Sequence, residues 1–143
     1  MTHTIQVIIN SDRPDFRTVW IFLWGENHDI DSDGDSSNPA SRTWTQLYMK
    51  SREEENELFE IYPIEENPLI FEVASENIYL ANRVAYFLCR ETKGKLIDGH
   101  MNENNCNILE NELGDFNLAI ALKRADECIW RKSSLENPYP NLP

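Results

Sequence analysis

The segment that decides the fold is PLIFEVASENIYLANRVAYFLCRETKGKLIDG, residues 68–99. Its first part, Leu69–Val73, is a short run of apolar, β-branched and aromatic residues, which is typical of a strand. Glu76–Thr92 then repeats apolar residues at three- and four-residue steps, and Ser75 is a favourable N-cap, so this stretch predicts a helix. Lys95–Asp98 returns as a strand. The segment therefore predicts a strand–helix–strand unit.

Two further strands are predicted near the N-terminus. Thr4–Asn10 is β-branched and apolar, and Thr18–Trp24 (TVWIFLW) is apolar almost without interruption. A continuous apolar run between turn residues suits a strand that is covered on both faces, and Pro14 lies in the turn between the two runs. We therefore expect these strands to pair as a hairpin at the centre of the sheet.

A second hairpin is predicted in the middle of the chain. Thr43–Ser51 alternates, which places Trp44 and Tyr48 on the same side of a strand, and Leu58–Ile64 forms the return strand. Pro63 cannot donate a ladder hydrogen bond, so it indicates a strand end or an edge. Among the tryptophans, Trp44 is the one that we expect to be exposed.

The C-terminal part of the chain favours helix. Apolar residues recur at three- and four-residue steps from Ile108 to Ile129, and Gly114 and Asp115 are placed to divide this stretch into two helices. The proline-rich tail, residues 133–143, is expected to be irregular. Residues 1–143 therefore predict one α+β domain, with a mainly antiparallel sheet, the strand–helix–strand unit, and a C-terminal helix, or two, packed on one face.

The charge of the chain is concentrated in two segments. There are 25 acidic residues against 13 Lys and Arg, which gives a net charge of −12. Residues 26–35 hold five of the acids and residues 53–66 hold seven, and neither segment contains Lys or Arg. We expect residues 25–42 to form an exposed acidic loop, because Gly, Pro, Asp, Ser and Asn dominate there. The second acidic segment lies at the tip of the predicted hairpin and along its return strand.

This charge disfavours several classes of partner. Affinity for nucleic acid depends on cationic side chains that displace counterions, and anionic lipid attracts the same side chains, so neither nucleic acid nor a membrane is an expected partner. No apolar stretch approaches the roughly 20 residues of a membrane span, and the first residues lack the pattern of a cleavable signal. We therefore expect a cytoplasmic protein that binds a basic protein.

No motif indicates catalysis or a cofactor. The sequence lacks G-x-S-x-G and the glycine-rich patterns that hold phosphates, and no histidine lies at metal-ligand spacing from another His or Cys. The cysteines Cys89, Cys106 and Cys128 are far apart, which favours reduced and packed thiols. We therefore predict that the protein is not an enzyme, has no catalytic residues and carries neither metal nor cofactor.

One motif leaves a metal-binding alternative open. Residues 29–35 (DIDSDGD) reproduce the opening D-x-D-x-D-G of a calcium loop, in which carboxylates wrap the ion and the glycine permits the turn. The twelfth position, where a bidentate glutamate closes such a site, is Ala40. A calcium-binding module remains an alternative function, but these residues are not predicted to form a metal site.

With its acidic segments DIDSDGD and EEENELFEIYPIEE on the scaffold of residues 68–99, the chain resembles bacterial immunity proteins of contact-dependent and other polymorphic toxin systems. The resemblance is one of size, acidity and architecture. It implies a cytoplasmic inhibitor that covers the basic substrate groove of a cognate toxin, such as a nuclease, with carboxylates in place of phosphates. The residues expected to bind the partner are Asp29, Asp31, Asp33, Asp35, Trp44, Glu53, Glu54, Glu55, Glu57, Glu65 and Glu66.

A secretion chaperone that binds an extended segment of an effector is a second alternative. Such chaperones are also small and acidic, and they bind through apolar grooves. They typically begin with a helix, however, whereas this chain is predicted to begin with two strands. The immunity hypothesis is therefore preferred.

Overall fold

A computed structural model of the chain describes residues 2–140. The strands are β1 (His3–Ile8), β2 (Ile30–Gly34), β3 (Leu47–Ser51), β4 (Leu58–Glu66), β5 (Leu69–Ser75), β6 (Lys95–Ile97) and β7 (Glu103–Asn104). The α-helices are α1 (Phe16–Trp24), α2 (Ile78–Thr92) and α3 (Leu118–Glu127), and the 3-10 helices are Asp35–Ser37, Cys106–Glu112 and Ile129–Lys132. The sheet has the order β2-β3-β4-β5-β1-β6-β7, and all neighbours are antiparallel. The predicted α+β class is confirmed.

The predicted strand–helix–strand unit is present as β5, α2 and β6. Strand β1 lies between β5 and β6, and α2 crosses over it and packs against β1 and β5. The N-cap of α2 is Asn77 and not Ser75, because the Asn77 side chain accepts the N–H groups of Tyr79 and Leu80. Ser75 instead ends β5 and donates its hydroxyl to the Leu58 carbonyl at 2.6 Å. This bond joins β5 to the start of β4.

The prediction of a strand at residues 18–24 is wrong. These residues belong to α1, and the Asp15 carboxylate caps that helix by accepting the N–H groups of Arg17 and Thr18. Val19 and Phe22 are buried in the core, and α1 packs mainly against α3. The expected central hairpin is therefore absent, and β1 pairs with β5 and β6.

The C-terminal region divides near Gly114, as predicted. Gly114 has φ +69°, a backbone conformation that favours glycine, and it lies between the 3-10 helix Cys106–Glu112 and α3. The segment between β6 and the 3-10 helix Cys106–Glu112 contains the short edge strand β7. Residues 133–140 carry no helix or strand, and Met1 and residues 141–143 lie outside the described residues.

The C-terminal tail is held against the start of α1 by a buried ion pair. Arg17 pairs with Asp15 at 3.0 Å, and the two side chains are at most 4% exposed. Arg17 also donates to the Pro138 carbonyl at 2.7 Å, and its guanidinium lies 4.1 Å from the ring centre of Trp130. Ser133 donates its hydroxyl to Asp15 at 2.8 Å. These contacts stabilise an otherwise irregular segment.

No α-helix within residues 2–140 combines the length and the apolar character that a membrane span requires.

Candidate protein-binding site

The two faces of the sheet differ sharply. The helices pack on the face that carries the buried side chains of Leu47, Phe59 and Val73. Because side chains alternate along a strand, their neighbours point to the opposite face. That open face carries exposed or half-buried residues of β2, β3, β4 and β5. They are Asp31, Asp33, Tyr48, Lys50, Glu60, Tyr62, Glu72 and Ala74.

The predicted loop 25–42 is wrong in its centre, because residues 30–34 form the edge strand β2. Asp31 and Asp33 point to the open face of the sheet, where they lie opposite Lys50 and Tyr48 of β3. Alternate side chains on a strand are about 7 Å apart, so extended backbone does not wrap them around one ion as a calcium loop does. Within residues 2–140, no three His, Cys, Asp or Glu side chains form a group that could hold a metal ion.

The two acidic segments meet at the β2 edge of the sheet, where Asp29 contacts Glu53. Arg52 donates its backbone N–H to the Asp29 carbonyl at 2.9 Å, and the Glu53 carboxylate accepts the N–H of Asp29 at 2.9 Å. Asp33 and Glu60 lie on either side of Tyr48, because β3 lies between β2 and β4. We call the resulting surface the acidic edge. Its exposed carboxylates are those of Asp29, Asp31, Asp33, Glu53, Glu54, Glu55 and Glu60.

The acidic edge contains few cations. Arg52 lies 3.5 Å from Asp29 and 3.8 Å from Asp31, and all three side chains are more than half exposed. Lys50 is the other exposed cation of this surface. Exposed ion pairs contribute at most about 1 kcal/mol, because water screens them. The seven carboxylates therefore retain most of their negative field.

Two predicted partner-binding residues make internal bonds instead. The Asp35 carboxylate accepts the backbone N–H groups of Thr45 at 2.8 Å and of Gln46 at 3.1 Å, which fixes the approach to β3. Glu57 accepts the indole N–H of Trp24 at 2.7 Å and lies 3.6 Å from Arg83, and its side chain is 18% exposed. Both carboxylates therefore hold the fold together.

Trp44, Glu65 and Glu66 do not join the acidic edge. Trp44 is 3% exposed, so the expectation that it is exposed is wrong. Its indole donates to the Pro14 carbonyl at 2.7 Å and stacks on Phe71 with the ring centres 5.6 Å apart. Glu65 and Glu66 lie at the far end of β4, about 17–20 Å along the strand from Glu60.

The aromatic residues of this surface are tyrosines. Tyr48 lies between Asp33 and Glu60, and Tyr62 follows on β4, and both are half-buried. The hydrogen bond that Tyr62 donates to Glu72 raises the pKa of its hydroxyl to about 12, with smaller contributions from burial and from the charges of Glu72 and Glu60. The phenol therefore remains protonated and neutral at physiological pH. Tyr48 and Tyr62 are site residues that charge counting does not identify, and Glu60 belongs to the acidic segment 53–66 but is absent from the predicted partner-binding residues.

A Ser–His–acid arrangement lies directly behind the acidic edge. Ser51 Oγ and His28 Nε2 are 2.6 Å apart, and His28 Nδ1 lies 2.9 Å from a carboxylate oxygen of Glu53. The His28 ring also stacks on Trp24, with the ring centres 5.1 Å apart. The order of the groups is that of a serine nucleophile, its base and an orienting acid. Sequence reasoning missed it because His28 lies 23 residues before Ser51, and the pairing of β2 with β3 brings the two together.

The surroundings of Ser51 favour a structural role. Ser51 is 1% exposed, and its Oγ accepts the backbone N–H groups of Glu53 at 3.0 Å and of Glu54 at 2.9 Å. With both lone pairs engaged, the hydroxyl has its own proton left to donate to His28. The group therefore caps the turn that presents Glu53, Glu54 and Glu55 and connects it to the strand ends.

No protein-family model, curated protein or solved structure matches this chain. The interpretation of the site therefore depends on its own geometry. An exposed sheet edge carries seven carboxylates, two cations and a central tyrosine, and one of these carboxylates, that of Glu53, is held by His28, which bonds to the buried Ser51.

Proposed function

We propose that this protein is a non-enzymatic inhibitor that binds a basic protein domain through the acidic edge. In this proposal it is an immunity protein that neutralises a nuclease toxin of a bacterial contact-dependent or polymorphic toxin system, and it acts in the cytoplasm. The observation that carries the proposal is the union of both acidic segments on one exposed edge. A nuclease needs a cationic groove for phosphates, and carboxylates at matching positions compete for that groove.

We expect the charge of the acidic edge to raise the rate at which such a partner associates with it. A surface with a large excess of one sign steers an oppositely charged protein and raises the association rate. The exposed pairs of Arg52 with Asp29 and Asp31 are weak enough to exchange for pairs with a partner's Lys or Arg. The acidic edge therefore starts largely unneutralised.

Tyr48 supplies the apolar part of the contact. Rim charges mainly affect association rate and salt dependence, whereas affinity comes from aromatic side chains that are buried at the centre of an interface. Tyr48 is half-buried between Asp33 and Glu60, so its remaining surface is available at the middle of the acidic edge. We expect a Tyr48→Ala variant to dissociate faster from the partner.

Two observations support this function over its alternatives. The D-x-D-x-D-G residues lie mostly on β2, where the carboxylates alternate along an extended strand. The buried Ser51 with its two amide donors supports action by binding and not by hydrolysis.

The experiment that tests the proposal is a protection assay. We expect the gene beside that of this chain to encode a large toxin. The C-terminal domain of that toxin is produced in bacteria together with the chain, and cell survival and nuclease activity are measured. We expect survival with the unaltered chain and killing with the double variant Asp31→Lys, Asp33→Lys. The matched control is Glu65→Lys, Glu66→Lys, which makes the same change of charge at the far end of β4.

Folding of each variant is checked by circular dichroism and thermal unfolding. Full protection by Asp31→Lys, Asp33→Lys would contradict binding through the acidic edge. Killing by both double variants would point to net charge and not to a defined surface. A toxin domain that the unaltered chain neither binds nor inhibits would refute the immunity function.

A further inference from the structure

We propose that β2 binds an extended basic segment of the partner as an additional strand of the sheet. This inference rests on the proposed function and specifies how the partner is held. In residues 2–140, β2 pairs with β3 on one side, and no strand pairs with its outer side. An open edge strand presents backbone N–H and C=O groups that an extended segment can pair with.

The register identifies the backbone groups that face outward. Arg52 donates to the Asp29 carbonyl and Asp35 donates to the Gln46 carbonyl, and these two pairs continue the β2–β3 register at its two ends. Hydrogen-bonded pairs alternate with non-bonded ones in an antiparallel ladder. The odd-numbered residues of β2 therefore bond to β3, and the even-numbered ones, 30, 32 and 34, point outward.

Most of these outward groups are free to bond to a partner. No hydrogen bond within residues 2–140 joins the outward N–H or C=O of Ile30 or Ser32 to another part of the chain. The N–H of Gly34 is already donated to the Asp33 side chain at 2.7 Å. The usable edge is therefore the N–H and C=O groups of Ile30 and Ser32 and the C=O of Gly34.

The side chains of β2 select the composition of the incoming strand. Asp31 and Asp33 lie on the open face, and a residue directly opposite either of them on an added strand would be about 5 Å away. Opposite charges at this distance are favourable, so Lys or Arg fits at alternate positions. Ile30 is half-buried on the other face, where an apolar residue fits. The occupant is therefore an extended segment that alternates basic and apolar residues.

A second copy of this chain does not fit the same edge. Two β2 strands side by side would place Asp31 and Asp33 against like charges, which is destabilising. At the other edge of the sheet, β7 has two residues, Glu103 and Asn104, and one of them is acidic. Charge thus disfavours self-association through β2 while it favours a basic strand.

The test uses the full chain and a synthetic peptide, acetyl-Lys-Val-Lys-Val-Lys-amide. Binding is followed by amide NMR spectra at low salt, and we expect the largest shifts and slowed amide exchange at Ile30 and Ser32. A second peptide is N-methylated at the positions that face β2, so its charge is unchanged and its donors are removed. We expect this peptide to bind about 5- to 10-fold more weakly, because at least one hydrogen bond is lost.

A matched pair of variants tests the strand itself. Ser32→Pro removes an outward N–H and leaves the bonds to β3 in place, because position 32 does not bond to that strand. We expect Ser32→Pro to weaken binding of the unmodified peptide by about 5- to 10-fold, and Ser32→Val to leave it within about twofold. Amide spectra of both variants verify that the sheet is intact.

The outcomes separate this inference from the proposed function. If the N-methylated peptide and Ser32→Pro both retain full binding while Asp31→Lys, Asp33→Lys loses it, strand addition is wrong and the acidic edge binds by charge alone. If neither peptide binds at millimolar concentration, strand addition is likewise wrong. Failure in the protection assay with intact peptide binding would instead refute the immunity function.

Discussion

Replacing Ser51 by alanine should destabilise the turn behind the acidic edge. The Ser51 hydroxyl accepts the N–H groups of Glu53 and Glu54 and bonds to His28 Nε2, so the variant loses three hydrogen bonds. Each such bond contributes about 1 kcal/mol net, and His28 would be left half-buried without its partner. Water can hydrate these two part-buried amides in the variant, because Glu53 and Glu54 are exposed residues. We therefore expect the free energy of unfolding to fall by about 2–3 kcal/mol.

The assay is urea unfolding followed by circular dichroism. The matched control is Ser41→Ala, because the Ser41 hydroxyl accepts one exposed N–H, that of Thr43 at 3.3 Å. We expect this control to change the free energy of unfolding by less than about 0.5 kcal/mol. A loss below about 0.5 kcal/mol for Ser51→Ala would refute the capping role.

A chemical probe distinguishes a turn cap from a nucleophile at the same position. A fluorophosphonate reacts with an activated serine that it can reach. Because Ser51 is 1% exposed and its lone pairs accept two N–H groups, we expect no labelling of the folded protein. Labelling of the unaltered chain that disappears in both Ser51→Ala and His28→Ala would show that the Ser–His–acid group is catalytic.

Three further predictions concern buried groups elsewhere in the fold. Burial raises the pKa of the Cys89 thiol to about 12 and also raises that of the Cys106 thiol, so exposure decides the order: iodoacetamide at pH 8 should modify the half-buried Cys106 before the buried Cys89, and peptide mass spectrometry checks this. Arg17→Met should lower the free energy of unfolding by about 3–5 kcal/mol in urea, because the Asp15 carboxylate stays buried without its partner. The ordinary pKa of a tyrosine is 10.0, and that of Tyr62 is raised to about 12, so its contribution to stability is complete below pH 10 and is lost as the pH rises toward 12. Absorbance at 295 nm should show one fewer late-titrating tyrosine in Tyr62→Phe, and an unchanged titration would contradict this pKa.

Hydrophobic periodicity identifies a long helix, but it does not decide between a helix and a strand for a short apolar run. The helix α2 has 15 residues with a sustained three- and four-residue repeat, so the β5–α2–β6 unit was predictable. The nine residues of α1 are apolar on nearly every side, and such a run fits a buried strand and a buried helix equally well. The deciding signal was local, because Asp15 directly precedes the run and caps it. For this short segment, the N-cap residue Asp15 therefore indicates a helix more clearly than the hydrophobicity of the run does.

The wrong prediction that Trp44 is exposed has a similar physical origin. Alternation from residue 43 to residue 51 places Trp44 and Tyr48 on one face, but only if the whole segment is extended. Strand β3 begins at Leu47, so the alternation does not reach Trp44. Burial of the Trp44 indole against Phe71 is more favourable in free energy than its exposure to water. The burial of Trp44 is decided by tertiary packing, which a local sequence pattern does not show.

The division of the carboxylates between fold and surface follows from strand register. Leu47 and Met49 are buried, so the register places the residues between them and beside them, including Tyr48, on the open face. A slip of β2 by one residue would turn Asp31 and Asp33 toward the core, where unpaired carboxylates are strongly destabilising. The same packing that buries the apolar residues of β3 therefore forces these acids outward. The acidic edge is thus a consequence of core formation, and the charges on β2 and β4 can be changed without altering the apolar contacts of the core.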